Sequence, residues 1–429
     1  MNKKLKILHI SSPGYRSAGK MAFDIHSELI KKGMNSFIVT KSDSCGIDWS
    51  FSFENYRTTS GSKIIERVKK IVSRKINFNG KQDPKYGYHW TDHSKFQEKY
   101  LNLLDFVPFK PDIIILYALQ EFINLETVFH YQKITGAHIY WMFYDMAPLT
   151  GGCHYSWECE NYTEKCGKCP WLYSSSENDL SEKNLRTKKR VLDEMKIHPL
   201  ICSEWLFTRT AKSSLFKDSD YKKWYFPVDI NEFKPEDKIN AKKRSDLDHH
   251  KKHILFGSVD LTNERKGANY LIEAINILKE KSGIIAEPEI IILGNRSEEI
   301  VKKIPFRVIF QGFLNNREDL IRYYQASDIT VVPSLQDAGP LMTSESLACG
   351  TPVVSFNVGS AQDFVSDGLT GYRSEYGNTY RMAEGIKKLL ELDESSYTSV
   401  SENCRKTACN NFGLELQTEN LIDILSSEL

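Results

Sequence analysis

Two carboxylates eight positions apart, Asp337 and Glu345, lie in the run PSLQDAGPLMTSESLACGTPVVSFNV at 333–358. Asp337 falls on a loop leaving a strand. Glu345 falls in the opening turns of a helix whose N-terminus is expected near Thr343 or Ser344. Free N–H groups at a helix N-terminus favour an anion, a phosphate above all. A carboxylate just inside such a helix accepts hydrogen bonds from a ribose diol, and one on the loop before it holds a sugar ring. The pair suits a sugar diphosphate that carries a nucleoside. The plainer alternative is a helix-capping carboxylate and a solvated loop aspartate.

A second segment, GSVDLTNERKGANYL at 257–271, supplies cations. Gly257 and Ser258 leave a strand, and Lys266–Gly267 open a helix. A lysine there reaches a phosphate at the carboxyl edge of an open α/β sheet, where such sheets place ligands. Arg265 adds a guanidinium that binds phosphate bidentately. The alternative is a basic pair at a surface helix start. A third cluster, Cys153, Cys159, Cys166 and Cys169, is spaced C-x5-C-x6-C-x2-C within an insertion at 151–172, with His154 beside the first. Four thiolates at this spacing can hold one tetrahedral structural zinc, and Gly167 inside the C-x2-C pair suits a knuckle. Free cysteines, or a disulfide formed on oxidation, are the alternatives. Cys45, Cys202, Cys349, Cys404 and Cys409 read as buried or surface singles.

The elements that must position these groups alternate strand and helix. Leu5–Ile10, a helix from Ala22 to Ile30 and Phe37–Thr40 make a βαβ opening. Pro111–Leu116 and His138–Phe143 read as buried strands, Lys183–Met195 as a helix, Leu200–Ser203 as a short strand before a helix around Trp205–Lys212. The charged run Lys234–His253 reads as a linker or exposed loop, with His249, His250 and His253 solvated. Alternation then resumes with Ile254–Phe256, Tyr270–Lys279, Glu289–Leu293, Val308–Phe310 and Ile329–Val332, and Val353–Phe356 closes the set. Parallel sheets covered by helices on both faces follow. A basic stretch from Lys63 to Lys75 reads as a solvated amphipathic helix, or as a surface that meets acidic lipid headgroups or a charged acceptor.

The 429 residues allow two or three domains. With 57 Lys+Arg against 56 Asp+Glu the net charge is +1, so no nucleic-acid partner is expected. Hydrophobic residues at 41% and charged residues at 26% describe a globular chain. The start MNKKLKILHI reads as a strand rather than a signal peptide. No apolar run approaches the ~18 residues of a membrane span. Nine cysteines, an odd number, favour reduced thiols in a cytoplasmic setting.

The run PSLQD…ESLACGTPVVSFNVG resembles the donor-site signature of glycosyltransferase family 4, retaining enzymes of the GT-B fold. The similarity extends through ILHISSPGYRSAGKMAFDIHSEL, YDMAPLTGGCHYSWEC, WYFPVDINEFKP, FGSVDLTNERKGANYLIEAI, ILGN and FQGFL…YYQASDITVVPSL, nearly the whole chain. It looks most like bacterial members that build colanic-acid-like, capsular or O-antigen polysaccharides. The resemblance implies two Rossmann-like domains facing each other across a cleft. Residues 1–228 would bind the acceptor, 229–410 the NDP-sugar, and 411–429 would form a helix packing back on the N-terminal domain.

It also implies roles at matched positions. Glu345 would bind the ribose hydroxyls, Asp337 the transferred sugar, and Lys266 the departing diphosphate. The amides of Leu341 and Met342 would lie near phosphate or sugar, and Gly257 would flank the donor. Gly19 matches the N-terminal glycine loop. No metal would be needed for catalysis. The acceptor would be a glycan or lipid-linked oligosaccharide, with peripheral association at the inner face of the membrane. Three departures stand out. Tyr144 before Asp145 replaces a usual His near the sugar, and a phenol does not titrate near neutral pH. Pro340 replaces a frequent Gly. A family Arg some residues before the Lys lacks a clear counterpart, and Arg265, adjacent rather than aligned, would stand in for it. Other readings are a non-catalytic sugar-nucleotide-binding subunit and a GT-B epimerase or phosphorylase.

Overall fold

The computed structural model describes residues 4–12, 18–42, 48–53, 98–120, 122–281, 283, 286–295, 297–314 and 316–427. The basic stretch at 63–75 and Cys45 lie outside them. The chain divides into two compact units. One comprises Met1–Cys202, Leu206–Trp224 and Asn420–Leu429; the other comprises Ser203–Trp205 and Tyr225–Glu419.

The first unit holds a parallel sheet of β1 (Lys6–Ser11), β2 (Asn35–Thr40), β3 (Ser50–Ser52), β4 (Ile113–Leu116), β5 (His138–Phe143), β6 (Ile197–Ile201) and β7 (Lys222–Lys223). Their order is β3-β2-β1-β4-β5-β6-β7. In β4 all four residues are buried, as a strand covered on both faces requires. The helices are α1 (Ala18–Lys31), α2 (Leu125–Thr135), α3 (Leu180–Leu192) and α4 (Glu204–Lys212). The sequence reading overlooked α2, although its punctuation is plain. The Asn124 side chain accepts from Thr127 N–H at the start, and Gly136, at φ 71°, takes the left-handed cap. Near the C-terminus, Tyr140 Oη donates to Ile424 O at 3.3 Å.

The second unit opens with α5 (Lys238–Arg244). Its sheet comprises β8 (His253–Asp260), β9 (Glu289–Asn295), β10 (Val308–Gly312), β11 (Ile329–Val332), β12 (Val353–Phe356) and β13 (Gly371–Ser374). The order β10-β9-β8-β11-β12-β13 is parallel throughout. Its helices are α6 (Ala268–Lys281), α7 (Arg317–Ala326), α8 (Leu341–Ala348), α9 (Thr379–Leu390) and α10 (Glu394–Asn411), beside shorter turns, and α11 (Leu414–Ser426) begins in this unit and passes into the first at Asn420.

Three expectations are corrected here. The charged run is not a linker, because Asp237 caps α5 and the buried Lys242 Nζ donates to Asp328 Oδ2 at 2.8 Å. His253 is not solvated; it starts β8, fully buried, with Glu289 Oε2 at 3.3 Å from its Nε2. Burial lowers its pKa, and the Lys242 cation pushes the same way. Val353–Phe356 is not the last strand, since β13 pairs beyond it.

Candidate active site

In both sheets the strand order reverses beside the first strand, between β1 and β4 and between β8 and β11. The crevice beyond the carboxyl ends of such a pair is where open α/β sheets bind ligands. In the second unit, the loop after β8 carries Arg265 and Lys266, and the loop after β11 carries Asp337. The two loops are stitched together. Leu335 N–H donates to Arg265 O at 2.9 Å. Gly267 takes φ 73°, and a Cβ there would stand 1.8 Å from Pro333 O. Only a glycine fits that approach.

The stitch brings opposite charges together. Lys266 Nζ lies 2.7 Å and Arg265 Nη1 3.0 Å from the same oxygen, Asp337 Oδ2. Arg265 Nη1 also donates to Gln336 O at 2.8 Å. Burial alone would raise the Asp337 pKa, but the Lys266 ammonium and then the Arg265 guanidinium hold it below the usual carboxylate range. Lys266 retains 29% exposure of its side chain, so the ammonium stays within reach of a solvent-borne anion.

The neighbouring helix α8 begins at Leu341, not at Thr343 or Ser344, with Pro340 at the N-cap and no side-chain cap. Leu341 and Met342 therefore supply its first amides. Glu345 falls in the second turn, where the fully buried Tyr324 hydroxyl donates to its Oε2 at 2.8 Å. That contact spans 21 residues and was missed from sequence. Burial, and then the Glu345 charge, push the Tyr324 pKa well above 10, so the phenol stays a donor at neutral pH. Gly257, in β8, backs onto Met342; a Cβ there would meet the Met342 methyl and sulfur at 3.2 Å. Within this unit the structure thus gathers Arg265, Lys266 and Asp337, and separately Tyr324 with Glu345 and Gly257 with Met342.

The remaining sequence candidates lie in the first unit. Gly19 is buried in the first turn of α1. Tyr144 and Asp145 follow β5 and line one pocket with Tyr117, Gln120 and Lys188. The Tyr144 hydroxyl is 3.6 Å from Met21 Sδ, and burial raises its pKa well above 10. Asp145 accepts from Ala147 N–H at 2.7 Å and is hydrogen-bonded to His154 Nδ1. Sequence reading noted His154 only as a neighbour of Cys153. The four cysteines of the insertion line a single cavity.

Residues 239–407 match the family model described as Glycosyl transferases group 1. The chain carries a glycosyl transferases group 1 domain. An uncharacterized 41.2 kDa protein in the cps region of Klebsiella pneumoniae is 26% identical over 196 residues, 44% of this chain and 51% of that protein. The capsular polysaccharide biosynthesis glycosyltransferase CapM of Staphylococcus aureus is 26% identical over 174 residues, 39% of this chain and 45% of CapM. The chain thus spans about half the length of the curated relatives it matches. Anabaena HepE, solved in complex with UDP, is 16% identical with a TM-score of 0.63, covering 99% of this chain and all of HepE. The fold is GT-B, and the glycosyl transferases group 1 domain holds the cationic crevice at the β8/β11 switch. No helix among the described residues is long and apolar enough to cross a membrane.

Proposed function

We propose that the chain is a retaining, family 4 glycosyltransferase that moves a hexose from an NDP-sugar to a hydroxyl of a lipid-linked oligosaccharide in surface-polysaccharide assembly. It would act in the cytoplasm, at the inner face of the membrane. The observation that carries the reading is the grouping of Lys266, Arg265 and Asp337 at the switch point of the second unit. Solved HepE complexes with UDP and with UDP-glucose support a nucleotide-sugar ligand, and the cps-region protein and CapM support the setting.

In this mechanism Glu345, held by Tyr324, accepts the ribose hydroxyls. Lys266, Arg265 and the amides opening α8 face the diphosphate. As the bond from the anomeric carbon to the diphosphate oxygen breaks, negative charge grows on that oxygen. Pre-placed cations and helix dipoles stabilise the charge without reorganising. The acceptor hydroxyl attacks from the same face, and its proton passes to the leaving phosphate, so no protein base and no catalytic metal is required. Asp337 orients the transferred sugar once the diphosphate has drawn Lys266 away from it. The first unit's pocket, lined by Gln120, Tyr144 and Asp145, would take the acceptor.

A second reading, a non-catalytic sugar-nucleotide-binding subunit, is favoured by one feature: buried Tyr144 stands where a titrating His is usual. A panel of NDP-sugars, followed by melting temperature and by release of NDP with candidate acceptors, separates the two. A shift with turnover supports the transferase. A shift with no turnover for any acceptor supports the binding subunit, and no shift with any NDP-sugar overturns both.

A further inference from the structure

The cysteine-rich insertion is unlike the rest of the chain. Between Gly151 and Leu172 it contains no strand and one short helical turn, Asn161–Thr163. Yet it is tightly fixed. A Cβ on Gly151 would stand 2.0 Å from Ser181 O, and one on Gly167 would stand 2.3 Å from Glu177 O. Among the described residues five non-glycines have left-handed φ, and three of them, Trp157, Lys168 and Tyr173, lie in or beside this insertion. Residues held in that conformation need a surrounding structure that over-determines them. A loop lacking sheet or long helix requires some other tie.

Cys153, Cys159, Cys166 and Cys169 line one cavity, with only about 20 Å³ free for the centre of a water-sized body. That is room for a single small guest, not an organic ligand. The backbone that carries the sulfurs is pinned: Cys159 N–H donates to Ser156 O at 2.9 Å, Gly167 N–H to Ser181 Oγ at 3.1 Å and Cys169 N–H to Asp179 Oδ2 at 2.9 Å. Lys188, buried on α3, donates to Ala147 O and, at 2.8 Å, to Thr150 O, which ties the start of the insertion to that helix. Among the described residues no three His, Cys, Asp or Glu groups are yet gathered into a finished cage. The cysteines line the space without closing on one point.

We propose that these four cysteines bind one structural zinc ion, which draws the sulfurs together as it enters. Four thiols lose four protons to solvent and form four Zn–S bonds, with no change of oxidation state. Soft thiolates select zinc over magnesium or calcium. The ion would lock the strand-free segment that begins at Asp145, since His154 follows Cys153 directly and is hydrogen-bonded to Asp145, while Met146 N–H donates to His154 O at 2.8 Å. The proposal does not depend on the donor-site reading.

The test is elemental analysis of the full-length protein purified without added metal or chelator. The expected result is one zinc per chain, released when the thiols are titrated with a mercurial. Exchange of that zinc for cobalt should give the intense visible bands and sulfur-to-cobalt charge transfer of a tetrathiolate site. Cys169→Ser should lose the zinc, whereas Cys409→Ser, outside the insertion, should keep it. Chelation of the wild type should lower its Tm, which keeps the test decisive if Cys169→Ser fails to fold. A metal-free preparation would overturn the proposal, whether its four cysteines alkylate freely or map as two disulfides. So would cobalt spectra showing oxygen or nitrogen ligands alone.

Discussion

Replacing Lys266 by Met keeps most of the side chain's length and removes its charge. In the free protein Lys266 and Arg265 share Asp337 Oδ2 at 2.7 and 3.0 Å. After the substitution Asp337 still has the guanidinium. With 29% of its side chain exposed, Lys266 is partly screened, so losing its pair costs about 1 kcal/mol. In a domain of this size that lowers Tm by about 2–4 °C. The donor diphosphate feels a larger change. At about 4 Å and an effective dielectric of about 20, an ammonium and a phosphate charge attract by about 4 kcal/mol. Desolvation and competition from Asp337 offset part, leaving about 2–3 kcal/mol, the upper range for a hydrogen bond between charged groups. That predicts a fall in kcat/KM of about 30- to 150-fold. Most of it should appear in kcat, because the charge on the leaving oxygen grows as the glycosidic bond breaks. The assay is initial-rate NDP release, with a melting curve to confirm folding. A Lys266→Met protein within about threefold of wild type in kcat/KM would refute the reasoning.

Other perturbations follow from the same geometry. Tyr324→Phe removes the donor that holds Glu345 and should weaken NDP binding by about three- to tenfold; Glu345→Gln should weaken it more, both read by calorimetry. Tyr144→Phe should cost at most about tenfold in kcat and leave the neutral pH–rate profile unchanged, because the phenol does not titrate there. Gly267→Ala places a methyl 1.8 Å from Pro333 O at φ 73° and should lower stability by at least about 2 kcal/mol in denaturant unfolding. Asp328 pairs with Lys242 at 2.8 Å, both about 5% exposed. Burial would raise its pKa, but Lys242, Lys238 and Lys252 hold it low. That stability is therefore present above the ordinary carboxylate pKa of about 4 and is lost as pH falls through the lower folded value. Asp328→Asn should cost about 3–5 kcal/mol at neutral pH and flatten the acid limb of Tm against pH.

The alternation of the fold was legible because buried parallel strands announce themselves as apolar runs, as in Ile113–Leu116 and Ile329–Val332. β13, Gly371–Ser374, carries no such run and was overlooked; pairing with β12 makes it a strand. The run 234–253 misled for the opposite reason. Its lysines look solvated locally, and it takes a partner 86 residues away, Asp328, to hold Lys242 buried. At the site, Asp337, Glu345, Lys266 and Arg265 could be named from loop and helix positions. The sequence could not say that Asp337 pairs with both cations in the free protein, or that Tyr324 steadies Glu345. The first depends on how the strand order of the second sheet brings two loops together, the second on α7 meeting α8. His154 was visible beside Cys153, but its bond to Asp145 depends on the insertion folding back.

The most direct test of the central claim is calorimetric titration of nucleoside diphosphates into the protein, without added divalent metal, alongside Lys266→Met and Glu345→Gln. The account predicts saturable binding of at least one NDP at one site per chain, weakened by each substitution while the fold is retained. Absence of binding for every NDP and NDP-sugar, or binding undiminished in both variants, would contradict it.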